Sequence, residues 1–101
     1  MLLSRNENSI AELCAGICAE NGTAFSKSCD ITDINSVKDG INFALDKLKT
    51  IDLLIVNSGV GGPNWMGSFS SEQFRETFEV NTFGIANVLE CIVPLMKKQG
   101  Y

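Results

Sequence analysis

Leu53-Leu54-Ile55-Val56 is an unbroken apolar run that closes on Asn57-Ser58-Gly59. A strand with one wet face alternates apolar and polar side chains, so a continuous run of this length fits a parallel strand buried on both faces. Parallel strands cannot be joined by a tight turn; each needs a crossover of a dozen or more residues, usually a helix. The remainder of the chain must therefore alternate helices with strands.

It does so in order. Met1-Leu2-Leu3-Ser4 reads as a short strand, and Arg5-Asn6-Glu7-Asn8 carries the cap and acid of a helix entrance. Ile10, Leu13, Cys14, Ile17 and Cys18 recur at helical spacing, and Asn21-Gly22 ends that helix. Thr23 to Cys29 has strand composition around Phe25, and Asp30-Ile31-Thr32-Asp33 supplies a turn and the next N-cap. Ile34, Val37, Ile41, Ala44, Leu45 and Leu48 form a second helical stripe with Lys47 and Lys49 at its C-terminal end. After the apolar run and a glycine-rich loop, Ser70 and Gln73 form a capping box for a long helix over residues 70–98. Its apolar positions are Phe74, Phe78, Phe83, Val88, Leu89, Ile92 and Met96, and Pro94 is expected to loosen or bend its last turns. Strand, helix, strand, helix, strand, helix predicts an α/β fold with a parallel sheet and right-handed crossovers. In such open sheets ligands bind at the carboxyl ends of the strands, here Ser4-Arg5, Cys29-Asp30-Ile31 and Asn57-Ser58-Gly59.

Composition removes other classes. A net charge of −4 argues against a nucleic-acid or anionic-membrane surface, both of which need clustered Lys and Arg. No apolar run approaches the roughly 20 residues of a bilayer span, and Met1-Leu2-Leu3 is too short for a signal peptide, so a cytoplasmic location is expected. Four cysteines without histidine or a C-x-x-C pair predict no metal site and four small core residues. The absence of histidine also excludes Ser-His-Asp and Cys-His catalysis.

The three strand ends, together with Glu79-Val80-Asn81-Thr82-Phe83-Gly84, resemble the short-chain dehydrogenase/reductase family across almost the whole chain. Asp30-Ile31-Thr32-Asp33 is similar to that family's acidic turn after its third strand. Asn57-Ser58-Gly59 is similar to its Asn-Asn-Ala-Gly segment, and Val80-Asn81 with Gly84 to its V-N-x-x-G. The resemblance implies a partial Rossmann-type doubly wound sheet of three strands and three helices, residues 1–101 being one fragment of a dinucleotide-binding domain. The family's first strand with its T-G-x-x-x-G-x-G turn, and its catalytic Ser and Tyr-x-x-x-Lys, have no counterpart here; Tyr101 is the single tyrosine. A chain of this composition is therefore expected to be inactive alone.

By resemblance, the intact enzyme transfers a hydride between nicotinamide and a carbonyl or secondary-alcohol substrate, 3-oxoacyl thioester reductases being the commonest subtype. Ser4 stands where NAD-binding relatives carry an acid for the ribose 2'-hydroxyl. The Arg5 guanidinium beside it suits a 2'-phosphate, so NADP is expected rather than NAD; a solvated arginine next to Glu7 is the alternative. Asp30 and Ile31 are expected at the adenine, Asn57, Ser58 and Gly59 beside the cofactor, and Asn81 in the proton path of catalysis, bending its helix. A polar amide between Val80 and Phe83 is costly unless both its ends are bonded. Trp65 and Met66 are candidate walls of a substrate pocket, though packed or exposed apolar residues are the commoner reading. Pairing of subunits through helix 70–98 is the expected oligomer contact, and a non-catalytic interaction or dimerisation module is the competing reading.

Overall fold

The computed structural model describes residues 1–100; Tyr101 lies outside the described residues. β1 (Leu2–Ser4) leads into α1 (Glu7–Ala19), β2 (Ser26–Ser28) and α2 (Ile34–Leu48). An extended segment follows, and after a 3-10 turn at Met66–Ser68 the chain forms α3 (Ser71–Phe78), a π-helical turn (Glu79–Gly84) and α4 (Ile85–Gln99).

The helix boundaries are set by local chemistry. Asn6 caps α1 by accepting from the Ser9 amide, Asp33 caps α2 by accepting from the Asn35 amide, and Ser70 caps α3 by accepting from the Gln73 amide. Asn21, at φ 63°, and the Gly22 amide bonded to the Ile17 carbonyl close α1. Only half of the capping box at Ser70 forms: the Ser70 amide is taken by Asn64 Oδ1 at 2.8 Å instead of by Gln73. α4 continues through Pro94 to Gln99, where Gly100 at φ 85° ends it.

β1 and β2 pair in parallel, Leu3 opposite Lys27. α1 packs on one side of this pair, while α2 packs against α4 on the other. The core lies in that second layer, where Cys29, Val37, Ile41, Val88 and Ile92 are buried together with Leu54 and Val56 against them. The combined helix Ser71–Gln99 is long and apolar enough by composition to cross a bilayer, a property the apolar-run criterion missed because its polar residues are interspersed. Its Val88 and Ile92 belong to the core.

The Leu53–Val56 run departs from expectation. It is extended but forms no ladder, so the sheet has two hydrogen-bonded strands rather than three. Leu54 and Val56 face the core, whereas Leu53 and Ile55 are each 76 % exposed. A strand exists only through its neighbours: no described segment lies alongside to accept its amides, and no helix covers its second face. Leu13 and Cys18 on α1 are exposed for a related reason, since two short strands cannot cover the full stripe.

Candidate functional site

The carboxyl ends of β1, β2 and the extended segment converge. Ser4, Arg5, Asp30, Ile31, Asn57, Ser58 and Gly59 all line one cleft of about 720 Å³, whose floor is formed by core residues of α2 and α4. The seven residues singled out at the strand ends thus share a single cavity.

The Asp30 turn is tightly held. Asp30 Oδ1 accepts from the Thr32 amide at 2.9 Å and from the Thr32 hydroxyl at 2.8 Å, while Ser36 Oγ accepts from the Asp30 amide. The Thr32 amide and then its hydroxyl hold the Asp30 carboxyl below its ordinary pKa, with a smaller contribution from the Arg5 charge. Ile31 is fixed from α4: its carbonyl accepts from Asn87 Nδ2 at 2.9 Å, and its side chain lies against Gly84, where a Cβ would come within 2.7 Å of Ile31 Cγ1. Beneath the turn, Cys29 is buried, and burial pushes its thiol pKa up.

Ser4 Oγ accepts from the Asn6 amide, and Arg5 makes no ion pair among the described residues. Asn57 sits exposed at the mouth and forms no hydrogen bond among the described residues, although a strand-end amide in a paired sheet would bond neighbouring backbone. The backbone it would bind is that of an adjacent strand, and none pairs with this segment.

Asn81 does not line the cleft but governs it. Its Oδ1 accepts from the Val60 amide at 2.8 Å and its Nδ2 donates to the Val60 carbonyl at 2.7 Å. Both ends of the amide are therefore satisfied, as its place between Val80 and Phe83 demands. Asn81 lies inside the π-helical turn, the expected irregularity of this helix, and fixes the loop one residue beyond Gly59. Gln99 grips Ile51 in the same two-bonded manner, so amide side chains of the long helix pin both ends of segment 51–60.

Two participants escaped the sequence reading: Ser36, which accepts from the Asp30 amide, and Asn87, which holds Ile31; Thr32 was read as part of the turn but not as the donor that holds the Asp30 carboxylate. Asn87 carried a signal, being a polar amide between Ala86 and Val88 on an apolar helix. Trp65 and Met66 lie outside this cleft, Met66 at 98 % exposure. No group of metal-ligating side chains occurs among the described residues, and all four cysteines are unbridged.

The short chain dehydrogenase family model matches residues 1–101. The chain belongs to that family. Among curated dehydrogenases, the 7alpha-hydroxysteroid dehydrogenase of Escherichia coli is 34 % identical over 79 residues, covering 78 % of this chain and 31 % of the relative. A solved hydroxysteroid dehydrogenase from Escherichia coli superposes with a TM-score of 0.88 at 30 % identity, covering 97 % of this chain and 41 % of that one. A Burkholderia phymatum short chain dehydrogenase in complex with NAD gives 0.91 at 23 % identity over 99 % of this chain and 36 % of that one. The chain thus spans about a third of the length of the curated dehydrogenases it matches.

Proposed function

We propose that residues 1–101 are the adenosine-side portion of one dinucleotide-binding domain, belonging to an NADP-dependent oxidoreductase that acts on a carbonyl or secondary-alcohol substrate. The observation that carries this reading is the convergence of Ser4-Arg5, Asp30-Ile31 and Asn57-Ser58-Gly59 on one cleft at the strand ends, where open α/β sheets take their ligands. The donor set fits an adenosine moiety: an ionised carboxylate held by Thr32, an apolar side chain anchored by Asn87, and a guanidinium without an ion pair among the described residues. NADP(H), when bound, supplies the hydride chemistry.

Arg5 binds the 2'-phosphate, Asp30 accepts from the adenine amino group, and Ile31 packs on the ring. Gly59 lets the backbone approach the cofactor closely. Asn81 holds Val60 and so fixes the loop bordering the reacting end, within the proton path. The residues needed for pyrophosphate binding and for proton donation are not among these 101, so this segment does not turn over substrate by itself. A 3-oxoacyl thioester and a hydroxysteroid are the first substrates to try.

The test is a chimera in which residues 1–101 replace the matching segment of the Escherichia coli 7alpha-hydroxysteroid dehydrogenase. Arg5→Ala in that chimera weakens NADPH more than NADH, by about 1.5 to 3 kcal/mol for a lost charged hydrogen bond. Equal losses for both cofactors remove the 2'-phosphate role.

A second reading, subunit pairing through helix 70–98, is favoured by the exposure of Phe74, Phe78, Leu89 and Val93 along it. Sedimentation of the chimera against a variant with Phe78→Lys and Val93→Lys tests it: the variant shifts toward monomer, and an unchanged oligomer places the contact elsewhere.

A further inference from the structure

The local bonds of the Asp30 turn fix its shape but not its place. Thr32 holds the Asp30 carboxylate, Ser36 accepts from the Asp30 amide, and the Asp33 amide closes the turn on the Asp30 carbonyl at 3.2 Å. All three partners travel with the turn, so bonds of this kind leave it free to shift as a unit. Two contacts from the long helix remove that freedom. Asn87 Nδ2 reaches across 56 positions to the Ile31 carbonyl at 2.9 Å. Gly84, three residues before Asn87 and so on the same helix face, stands behind the Ile31 side chain with no room for a further carbon. Ile31 is drawn toward the helix by one contact and stopped by the other.

We propose that Asn87 is a positioning residue for the adenine end of the dinucleotide, setting through the Ile31 carbonyl the place of the apolar wall on which the ring packs. The proposal rests on the placement of the adenine at Asp30-Ile31. Contact energy between packed groups falls steeply with distance: a gap of about 0.5 to 1 Å forfeits a quarter to a half of it. A small shift of an intact turn therefore weakens the ring contact, and it also spoils the geometry of a hydrogen bond to the Asp30 carboxylate. The helix is a suitable reference because Val88 and Ile92, beside and beyond Asn87, are buried in the core. An amide among apolar neighbours on a helix costs stability relative to alanine, and the bond to Ile31 gives that choice a use. The same helix holds Val60 through Asn81. Two amides of one element thus serve two ends of the site, and their effects are separable.

The test uses 5'-AMP, the part common to NAD and NADP, so its outcome does not depend on Arg5. It is titrated by calorimetry into the chimera and into its Asn87→Ala, Asn81→Ala and Ile31→Ala variants. Asn87→Ala is expected to weaken AMP about three- to tenfold, as for the loss of one hydrogen bond. The KM for the dinucleotide rises by a similar factor while kcat stays within about twofold, and Asn81→Ala leaves AMP affinity unchanged. In the 101-residue chain, amide exchange at Thr32 and Asp33 is faster in Asn87→Ala. Asn87→Asp, which removes the donor in the same shape, is read by the same criteria if the alanine variant does not fold. Ile31→Ala weakening AMP while Asn87→Ala does not overturns the proposal and leaves the adenine placement standing. AMP that fails to bind the parent chimera, or that binds all variants equally, removes the placement and the proposal together. Losses of AMP affinity and kcat that are alike in Asn87→Ala and Asn81→Ala mark general loosening of the helix and overturn the positioning role, as does unchanged amide exchange.

Discussion

At the scale of residues, two side chains carry most of the local order. Asn81 satisfies both hydrogen-bonding groups of Val60, so Asn81→Ala leaves a part-buried amide and carbonyl without partners. Loss of about 1 to 3 kcal/mol of stability in urea titration is expected, and in the chimera kcat falls far more than cofactor affinity. A variant as stable and as active as the parent would make the Val60 clamp incidental. Asp30 gives a pH signature. Its folded pKa is depressed below the ordinary value near 3.8, chiefly by the Thr32 amide, so its stabilisation is present above that value and lost as pH falls through the lower, folded one. The stability difference between the parent and Asp30→Asn should be constant from neutral pH to about pH 4.5 and shrink below it. A difference that holds undiminished to pH 2.5, or one that grows with acid, would show that Asp30 is not held ionised by its turn.

At the scale of elements, the helix that carries Asn81 also clamps the Asp30-Ile31 turn through Gly84 and Asn87. A methyl at position 84 would meet Ile31 Cγ1 at 2.7 Å, so Gly84→Ala is expected to cost about 1 to 3 kcal/mol by overpacking. In an Ile31→Ala background the same change should cost much less, because the clash partner is gone. Thermal unfolding of the four proteins checks this, and additive effects would contradict the contact. The same elements show what a sequence can disclose. Caps at Asn6, Asp33 and Ser70 act within three residues, and each was legible. The Asn87 bond to Ile31 spans 56 positions, and nothing local announces it. Leu53–Val56 reads as a buried strand because its composition records a covered environment; the ladder itself depends on a neighbour that local pattern cannot supply. The strand ends and Asn81 were legible because each carries a residue type that its element would not otherwise choose, an acid, an amide or a glycine.

At the scale of the whole molecule, the radius of gyration is 15.9 Å, against about 13 Å for a compact domain of this length. The expansion follows from a two-strand sheet beside an unpaired third segment, with a cleft where a compact domain has core. Such a chain holds the turns proposed here to face an adenosine, without the glycine-rich turn whose amides cradle a pyrophosphate in this family. The central claim is that these residues form one side of a dinucleotide site that needs the rest of the domain to bind. The direct test is calorimetric titration of NADPH into the 101-residue chain and into the chimera, with folding of both checked by circular dichroism. The account predicts saturable binding to the chimera, tighter for NADPH than for NADH, and no tight binding to the chain alone. Binding to the isolated chain in the micromolar range (about −8 kcal/mol), or a folded chimera that binds neither dinucleotide, would contradict it.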